Sequence, residues 1–344
     1  MTSAVLGWDI GGVNTKVARI DPDPAVTPRV VSIAYELQRN LSALPSVLRS
    51  AADQLGATPH DQHGLTMTAE LSQAFRTKRE GVGFVLDAMV SVFPSDRLHV
   101  YTVPGEFVSP EAARTRSLEV AASNWSATAH WVARRIPTCI LIDVGSTTTD
   151  LIPILQGEVQ TEGNTDLDRL LSGELVYTGA VRTPVEAVAT RIPLWNGSAG
   201  VSAEAFALMG DVYVWLGRLG AENYTSPTPD GRPPTREYAG ERLARAVCAD
   251  REMLDEPAIT GMATAFARAQ CDLIVDALRR LKKRYPLIAS VVLAGLGEFI
   301  GCEAAECSGL KVLSLADQIG SAAITAPAFA VASLLCESLM LQSR

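Results

Sequence analysis

The same short design occurs twice in this chain: an apolar, β-rich run ends at an Asp, and a glycine turn follows. The run at 5–8 leads into DIGGVNTK (Asp9–Lys16), and the run at 139–142 leads into DVGSTTTD (Asp143–Asp150). A second β-rich stretch follows each turn, at 15–20 and at 149–155. The repetition predicts two related α/β halves, each built around a strand that ends at its turn.

Both turns carry groups that suit a phosphorylated ligand. Gly11, Gly12 and Gly145 allow a phosphate to approach the backbone N–H groups closely. Asp9 and Asp143 can hold a cation through water, and Lys16 adds positive charge on the neighbouring strand. The remaining polar groups of the two turns belong to Asn14, Thr15, Ser146, Thr147 and Thr148. Either turn alone is equally typical of a plain hairpin, but two copies favour a phosphate grip.

A third glycine turn lies near the end of the chain, in AGLGEF. A buried strand is predicted at 290–294, and Gly295, Gly297 and Glu298 then lead into a helix. Such a turn suits a nucleobase, a ribose or an anion at a helix N-terminus. Glycine is common between strands and helices, so this turn indicates a nucleotide-like site only together with the first two.

The pattern of apolar residues predicts that the second half starts in the same way as the first. The first half has predicted strands at 4–8, 15–20, 30–34, 65–68 and 98–103, and helices at 41–55 and 82–93. The second has strands at 140–144, 149–155, 158–161, 290–294 and 312–315, and helices at 258–284 and 327–339. We therefore expect an N-terminal lobe at 1–137, a C-terminal lobe at 138–326 and a C-terminal helix at 327–344 that packs on a lobe. Residues 162–256 form an insertion, and the run TSPTPDGRPPT at 225–235 predicts a loop or lid within it.

Composition excludes several classes of function. A chain of 344 residues, 47% of them hydrophobic, can bury two domain cores. The net charge of −8 argues against a nucleic-acid surface. The six cysteines are scattered, and His60 and His63 fall in a turn-rich stretch predicted to be a solvated loop. With no signal segment and no long apolar run, we expect a reduced cytoplasmic protein without a membrane partner. No serine-hydrolase elbow is present, which disfavours covalent hydrolysis.

Several longer segments carry a resemblance to a known family. The three turns resemble the phosphate 1, phosphate 2 and adenosine motifs of the actin, sugar kinase and Hsp70 superfamily, and more closely those of its hydantoinase/oxoprolinase branch. GWDIGGVNTK, MTAELSQAFRTKREGV, NWSATAHWVA, LIDVGSTTTDLIPI and TDLDRLLSGELVYTGAVRTPVEAV together resemble the tetrahydromethanopterin-linked one-carbon-transfer pathway proteins, whose archaeal members are (aminomethyl)furan–tyramine ether synthases of methanofuran biosynthesis. The resemblance implies a two-lobed, ribonuclease H-like α/β fold with a ligand cleft between the lobes.

The resemblance also implies a reaction. The diphosphate ester of an aminomethylfuran methanol would condense with the phenol of γ-glutamyltyramine, or with a tyrosine-type phenol, to give an ether and diphosphate. It implies Mg²⁺ as cofactor and leaves open whether ATP binds and whether the chain forms a homo-oligomer. An ATP-dependent small-molecule kinase or amidohydrolase of the same superfamily is the alternative, and a non-catalytic nucleotide sensor is a third.

On that scheme Glu70, in MTAELS, is the candidate base for the phenol proton, and Lys16, Asp9 and Asp143 complete the catalytic set. The cations Arg76, Lys78 and Arg79 would hold diphosphate or a glutamyl carboxylate, although a solvated charged loop explains them equally well. The remaining candidate substrate residues are Asn124, Trp125, Asp166, Asp168, Arg169, Tyr177, Thr178 and Arg182. Simpler roles are open for three of these residues: one of the two aspartates can cap a helix, Asn124 can do the same, and Trp125 can be core.

Overall fold

A computed structural model describes residues 3–23, 25–224 and 226–342. Within it the chain forms two compact units. Unit 1 comprises residues 1–138, 154–169 and 315–344, and unit 2 comprises residues 139–153 and 170–314, in each case as far as the residues are described.

The elements follow the order that the apolar pattern predicts, with additional short ones. Up to residue 133 they are β1 (Val5–Ile10), β2 (Asn14–Ile20), β3 (Arg29–Ala34), α1 (Leu44–Gln54), β4 (Gln62–Met67), α2 (Lys78–Val92), β5 (Leu98–Tyr101), β6 (Phe107–Val108), α3 (Pro110–Thr115), α4 (Ser117–Val120) and α5 (Asn124–Ala133). From residue 139 they are β7 (Cys139–Val144), β8 (Thr149–Leu155), β9 (Glu158–Val159), α6 (Asp166–Ser172), β10 (Leu175–Val176), α7 (Val185–Val188), β11 (Arg191–Leu194), β12 (Gly197–Gly200), α8 (Met209–Trp215), α9 (Arg236–Arg245), α10 (Glu256–Arg284), β13 (Ser290–Ala294), α11 (Glu298–Cys307), β14 (Lys311–Ser314), α12 (Ala316–Ile319) and α13 (Ala326–Gln342).

The two main sheets repeat one topology. The first has the order β3-β2-β1-β4-β5-β6, with β1 antiparallel to β2 and parallel to β4. The second has the order β10-β8-β7-β13-β14, with β7 parallel to β13 and β9 paired to β8. In both sheets the strand that precedes a glycine turn is central, and it is buried along almost its whole length because both faces are covered. The predicted α/β class and the predicted repetition are both confirmed.

The C-terminal helix completes the core of unit 1. By length and apolar composition the segment Ala322–Gln342 could cross a membrane, a criterion that a buried core helix also meets. Here α13 lies against β1, β2, β4 and α5, and residues Ala326–Ala332 are buried. Its backbone approaches β1 at Gly7, where an added Cβ would lie 2.0 Å from the carbonyl oxygen of Ala328.

Two local predictions were wrong. His63 is not in a solvated loop: it lies in β4, is 2% exposed, and its Nδ1 accepts a hydrogen bond from the Trp8 indole N–H at 3.1 Å. Burial lowers the pKa of His63 to about 4, so the neutral ring that accepts this bond persists at neutral pH. Helix α2 begins at Lys78 rather than Val82, because Thr77 caps it by accepting from the Glu80 N–H.

The insertion at 162–256 holds the short elements from α6 to α9. Thr225, the first residue of the predicted loop or lid, lies outside the described residues. Residues 226–235 form neither helix nor strand, as predicted. Asp230 ties this loop to Arg242, a fully buried guanidinium that also pairs with Asp211 at 2.8 Å.

Candidate functional site

The first glycine turn connects β1 to β2 in unit 1. The Gly11 N–H donates to the Asn14 carbonyl at 2.9 Å, and an added Cβ at Gly11 would lie 2.8 Å from that oxygen. At Gly12 an added Cβ would meet nothing within 4 Å, and neither glycine has a positive φ. Gly12 and Val13 lie in the turn itself. Among the backbone hydrogen bonds of turns and loops in the described residues, none has the Gly12 or the Val13 N–H as its donor. The turn therefore has an open side with donors on it, as an anion site requires.

Asp9 and Lys16 flank this turn as a cross-strand pair. The Asp9 side chain is 6% exposed, and its Oδ1 has no hydrogen-bond partner among the described residues. Burial raises the pKa of Asp9, and the charge of Lys16 partly offsets the effect. The Thr15 hydroxyl is also buried and has no hydrogen-bond partner in the described part of the chain, while Asn14 is half-buried. Asp9 thus retains an acceptor that this part of the protein does not use.

Glu70 lies beside the first turn, just after the end of the neighbouring parallel strand β4. It belongs to a 3₁₀ turn at Ala69–Leu71 that follows β4, and the Thr68 N–H donates to the Ile10 carbonyl at 2.9 Å. The carboxyl group is 1% exposed, and neither of its oxygens has a hydrogen-bond partner among the described residues. Burial raises the pKa of Glu70 to about 7; Lys78 acts against this shift, and Asp166 and Asp9 add to it. A carboxyl group with this pKa can both take up and release a proton near neutral pH.

The predicted basic cluster separates into one half-buried and two exposed side chains. Lys78, in the first turn of α2, pairs with Asp166 at 3.0 Å. Arg76 and Arg79 are exposed. Of the three cations, Lys78 is the one whose charge acts on Glu70.

Helix α6 carries the predicted aspartates and Arg169, which have different roles. Asp168 forms the helix cap with Thr165, whose hydroxyl donates to it at 2.7 Å and accepts from its N–H at 3.3 Å. Asp166 is therefore free of the cap and pairs with Lys78. The Arg169 guanidinium is 1% exposed and lies 4.3 Å from the ring centre of Trp125, which is itself 3% exposed.

Residue Asn124 is the first residue of α5, and no side-chain cap hydrogen bond forms at the start of that helix. Trp125 and Arg169 pack against each other as a buried pair. This placement favours the core role that the sequence left open for Trp125.

The second glycine turn lies in unit 2 and repeats the first. The Gly145 N–H donates to the Thr148 carbonyl at 2.9 Å, and residues 145–148 are half-buried. The strand before it ends at Asp143 and Val144, and Asp143 is half-buried. Segment 178–182 packs against this turn: Thr178 is buried, whereas Tyr177 and Arg182 are exposed.

The third turn packs tightly against β7. Gly295 has φ +87°, and an added Cβ would lie 2.3 Å from the Asp143 carboxylate. At Gly297 an added Cβ would lie 2.5 Å from a methyl of Val144, to whose carbonyl the Gly297 N–H donates at 2.8 Å. Glu298 is half-buried at the first position of α11. Contact with β7 already requires both glycines, so their presence is no sign of a nucleotide.

Sequence reasoning missed the residues that support the second turn. Gln270, Tyr213 and Thr183 are buried and hydrogen-bonded to one another or to segment 178–179. One signal was available: Gln270 interrupts the apolar face of α10 between Phe266 and Ile274. In the part of the chain that the structure describes, no group of three or more His, Cys, Asp or Glu side chains is placed to hold a metal ion.

Comparison with known proteins agrees with this architecture. Residues 61–338 match the hydantoinase/oxoprolinase family model. The chain is 38% identical, over 98% of its length and 99% of the relative's, to (4-{4-[2-(gamma-L-glutamylamino)ethyl]phenoxymethyl}furan-2-yl)methanamine synthase of Methanocaldococcus jannaschii. It is 32% identical to the synthase of the same name from Methanococcus vannielii, over 60% of this chain and 95% of that one.

Among solved structures, the nucleotide-free structure of an ATP-dependent acetone carboxylase has a TM-score of 0.59 at 13% identity, covering 96% of this chain and 70% of that one. That similarity supports the fold alone. The sequence matches extend over most of the chain, and the expected resemblance is confirmed. The chain belongs to the hydantoinase/oxoprolinase family and, within it, to the family of the (4-{4-[2-(gamma-L-glutamylamino)ethyl]phenoxymethyl}furan-2-yl)methanamine synthases.

Proposed function

We propose that this protein is an ether-forming transferase of methanofuran-type cofactor biosynthesis. The name of its relative describes a phenoxymethyl furan, which is an aryl ether. The proposed substrates are an aminomethylfuran methyl diphosphate and the phenol of γ-glutamyltyramine or a tyrosine-type acceptor. The phenol oxygen attacks the methylene carbon, the C–O bond to diphosphate breaks, and its electron pair leaves with diphosphate. The phenol proton passes to the enzyme.

The observation that carries this proposal is the state of Glu70. A phenol has a pKa near 10, so a base is needed to remove its proton at neutral pH. Glu70 has a pKa of about 7 and two carboxyl oxygens with no hydrogen-bond partner among the described residues. A general base must be ionised at the working pH, and it removes a proton more readily the higher its pKa is. A pKa near the working pH satisfies both requirements best. Glu70 therefore fits the role of general base.

Each glycine turn, taken by itself, has groups that would fit a departing diphosphate. In unit 1, the open side of Gly12 and the N–H groups beside it offer space and donors next to Lys16. In unit 2, the 145–148 turn offers donors of the same kind. Negative charge grows on diphosphate as the bond breaks, and preoriented donors stabilise that charge.

We also propose Mg²⁺ as the cofactor. Mg²⁺ is commonly held by one or two carboxylates together with waters and substrate phosphates. Asp9 fits this pattern because its Oδ1 is buried and unused among the described residues. Asp143 is the corresponding carboxylate of unit 2. When bound, the ion would neutralise charge on the diphosphate.

The proposal is tested by incubating the purified protein and Mg²⁺ with the furan methyl diphosphate, with and without γ-glutamyltyramine. We expect ether and diphosphate in equal amounts, and only when the phenol is present. Tyramine and tyrosine serve as alternative acceptors, and parallel samples contain ATP. Diphosphate release without the phenol would indicate hydrolysis instead. A strict requirement for ATP, with ADP as product, would favour the kinase alternative.

A further inference from the structure

Gln270 is a buried amide on an otherwise apolar helix face. It lies on α10, one turn from Phe266 on one side and from Ile274 on the other, and it is fully buried. An amide that is buried without hydrogen-bond partners strongly destabilises the folded state. Gln270 has a partner for each group: its Nε2 donates to the Thr178 hydroxyl at 2.6 Å and to the Gly179 carbonyl at 2.8 Å, and the Tyr213 hydroxyl donates to its Oε1 at 2.5 Å.

The residues that Gln270 holds pack directly on the second glycine turn. The close contact requires glycine at position 179, since an added Cβ would lie 2.5 Å from the Thr147 nitrogen and 2.6 Å from the Ser146 carbonyl carbon. The Thr149 hydroxyl, on the strand after the turn, donates to the Thr178 carbonyl at 2.7 Å. The Gly179 N–H donates to the Thr183 hydroxyl at 2.9 Å. Residues 178 and 179 are thus held by hydrogen bonds to Gln270, Thr149 and Thr183.

The same segment fixes two peptide planes of the turn. The Ala180 N–H donates to the Gly145 carbonyl at 2.9 Å, and the Arg182 N–H donates to the Ser146 carbonyl at 2.8 Å. In a trans peptide the carbonyl and the N–H point in opposite directions. Holding these two carbonyls toward segment 180–182 therefore turns the N–H groups of Ser146 and Thr147 away from it. Within the described residues, neither N–H donates to a backbone carbonyl outside the helices and strands.

We propose that Gln270 is a positioning residue for the second glycine turn. Acting through Thr178 and Gly179, it sets the direction in which the N–H groups of Ser146 and Thr147 face an anionic ligand. That the ligand is diphosphate rests on the proposed function. The Tyr213 hydroxyl holds the amide in the orientation that presents Nε2 to the Gly179 carbonyl.

The test compares four variants of the full chain. Gln270→Met keeps the length of the side chain and removes its hydrogen bonds, and Thr178→Val removes the hydroxyl that Gln270 contacts. Thr178→Ser retains that hydroxyl. Thr260→Val is the matched control, because it removes another hydrogen bond between α8 and α10, from the Trp215 indole N–H to the Thr260 hydroxyl at 3.0 Å, which does not reach the turn.

The first measurement is amide hydrogen exchange at residues 180–182, whose N–H groups hold the turn. We expect exchange there to speed up about 10-fold or more in Gln270→Met and Thr178→Val. Exchange should be unchanged in Thr178→Ser and Thr260→Val. Equal exchange in all five proteins would overturn the proposal. If Gln270→Met does not fold, the contrast between Thr178→Val and Thr178→Ser decides the outcome in the same way.

The second measurement is binding of inorganic diphosphate by calorimetry, together with kcat and KM. We expect about 10-fold weaker diphosphate binding in Gln270→Met and Thr178→Val, and an unchanged KM for the phenol. Wild-type diphosphate binding in both variants would contradict the positioning role. If the wild type neither binds diphosphate nor makes the ether, the exchange result still decides whether Gln270 braces the turn, and the proposed function is what fails.

Discussion

At the residue scale, the proposed chemistry depends on the protonation state of Glu70. Glu70→Gln removes the base with little change of shape, so we expect kcat to fall about 10²–10⁴-fold. In the wild type, kcat/KM should rise with pH through about 7, because the base must be ionised. Steady-state rates between pH 5.5 and 8.5 measure both effects. Glu204→Gln, at an exposed position, is the control. A Glu70→Gln variant with nearly full activity would exclude Glu70 as the base.

The same carboxyl group should make stability depend on pH. Its pKa is raised from 4.5 to about 7 in the folded protein, so the folded state binds more protons than the unfolded chain between these values. Wild-type stability should therefore fall as pH rises from about 4.5 to 7, by on the order of 3 kcal/mol. Glu70→Gln should abolish this loss and be the more stable protein at pH 8. Urea unfolding at several pH values checks the prediction, and parallel pH curves for both proteins would contradict it.

The Lys78–Asp166 ion pair allows a test of the direction in which each charge shifts the pKa of Glu70. Lys78 lowers the pKa of Glu70 and Asp166 raises it. Lys78→Met should therefore shift the pH–rate midpoint upward, and Asp166→Asn should shift it downward. Both variants break the same 3.0 Å pair, so a merely structural effect would move both midpoints in one direction. Shifts of equal sign would show that the pair does not act through the charge on Glu70.

At the scale of elements, glycines control how helix α13 meets the first sheet. An added Cβ at Gly7 would lie 2.0 Å from the Ala328 carbonyl oxygen, whereas at Gly64 the nearest atom, the Val331 carbonyl oxygen, would be 3.2 Å away. We expect Gly7→Ala to destabilise the protein by about 2–3 kcal/mol and Gly64→Ala by about 1 kcal/mol. Urea denaturation measures both changes. Equal effects would mean that α13 does not contact β1 as closely as described.

The turn glycines should respond differently. Gly12→Ala adds a methyl where nothing lies within 4 Å, so stability should stay within about 0.5 kcal/mol of the wild type. In the proposed function that space holds phosphate, and KM for the diphosphate ester should rise about 10-fold. Gly261→Ala, equally open but in the second turn of α10, should stabilise the protein by about 0.5–1 kcal/mol without changing KM. An unchanged KM in Gly12→Ala would show that the first turn does not bind the diphosphate ester.

The elements differ in how far their sequences predict them. Strands such as β13 are apolar runs bounded by turn residues, and the predicted range 290–294 agrees with the structure. The start of α2 was missed because its first turn is charged, although Thr77 and Glu80 have the spacing of a capping box. His63 was misplaced because local composition does not report burial, which depends here on contact with Trp8. Gln270 supports the second turn by a hydrogen bond to Thr178, which is far from it in sequence. Neither the sequence around Gln270 nor that around Thr178 predicts this contact alone.

At the scale of the whole molecule, duplication made the fold predictable. The two glycine turns occur in matching positions of two sheets with a similar strand order, so one repeated pattern predicts both halves of the structure. The site was only partly predictable. Glu70 could be named from its neighbours in the chain, but its burial and its pKa of about 7 depend on the surrounding fold.

The central claim is that carbon, rather than phosphorus, is attacked. A furan methyl diphosphate labelled with ¹⁸O in the oxygen that bridges carbon and phosphorus tests it directly, with γ-glutamyltyramine as acceptor and mass spectrometry of the products. Attack at carbon breaks the C–O bond, so we predict that all of the label leaves in diphosphate and the ether contains none. Label retained in a furan alcohol, with the diphosphoryl group transferred to the phenol, would show attack at phosphorus and contradict the account.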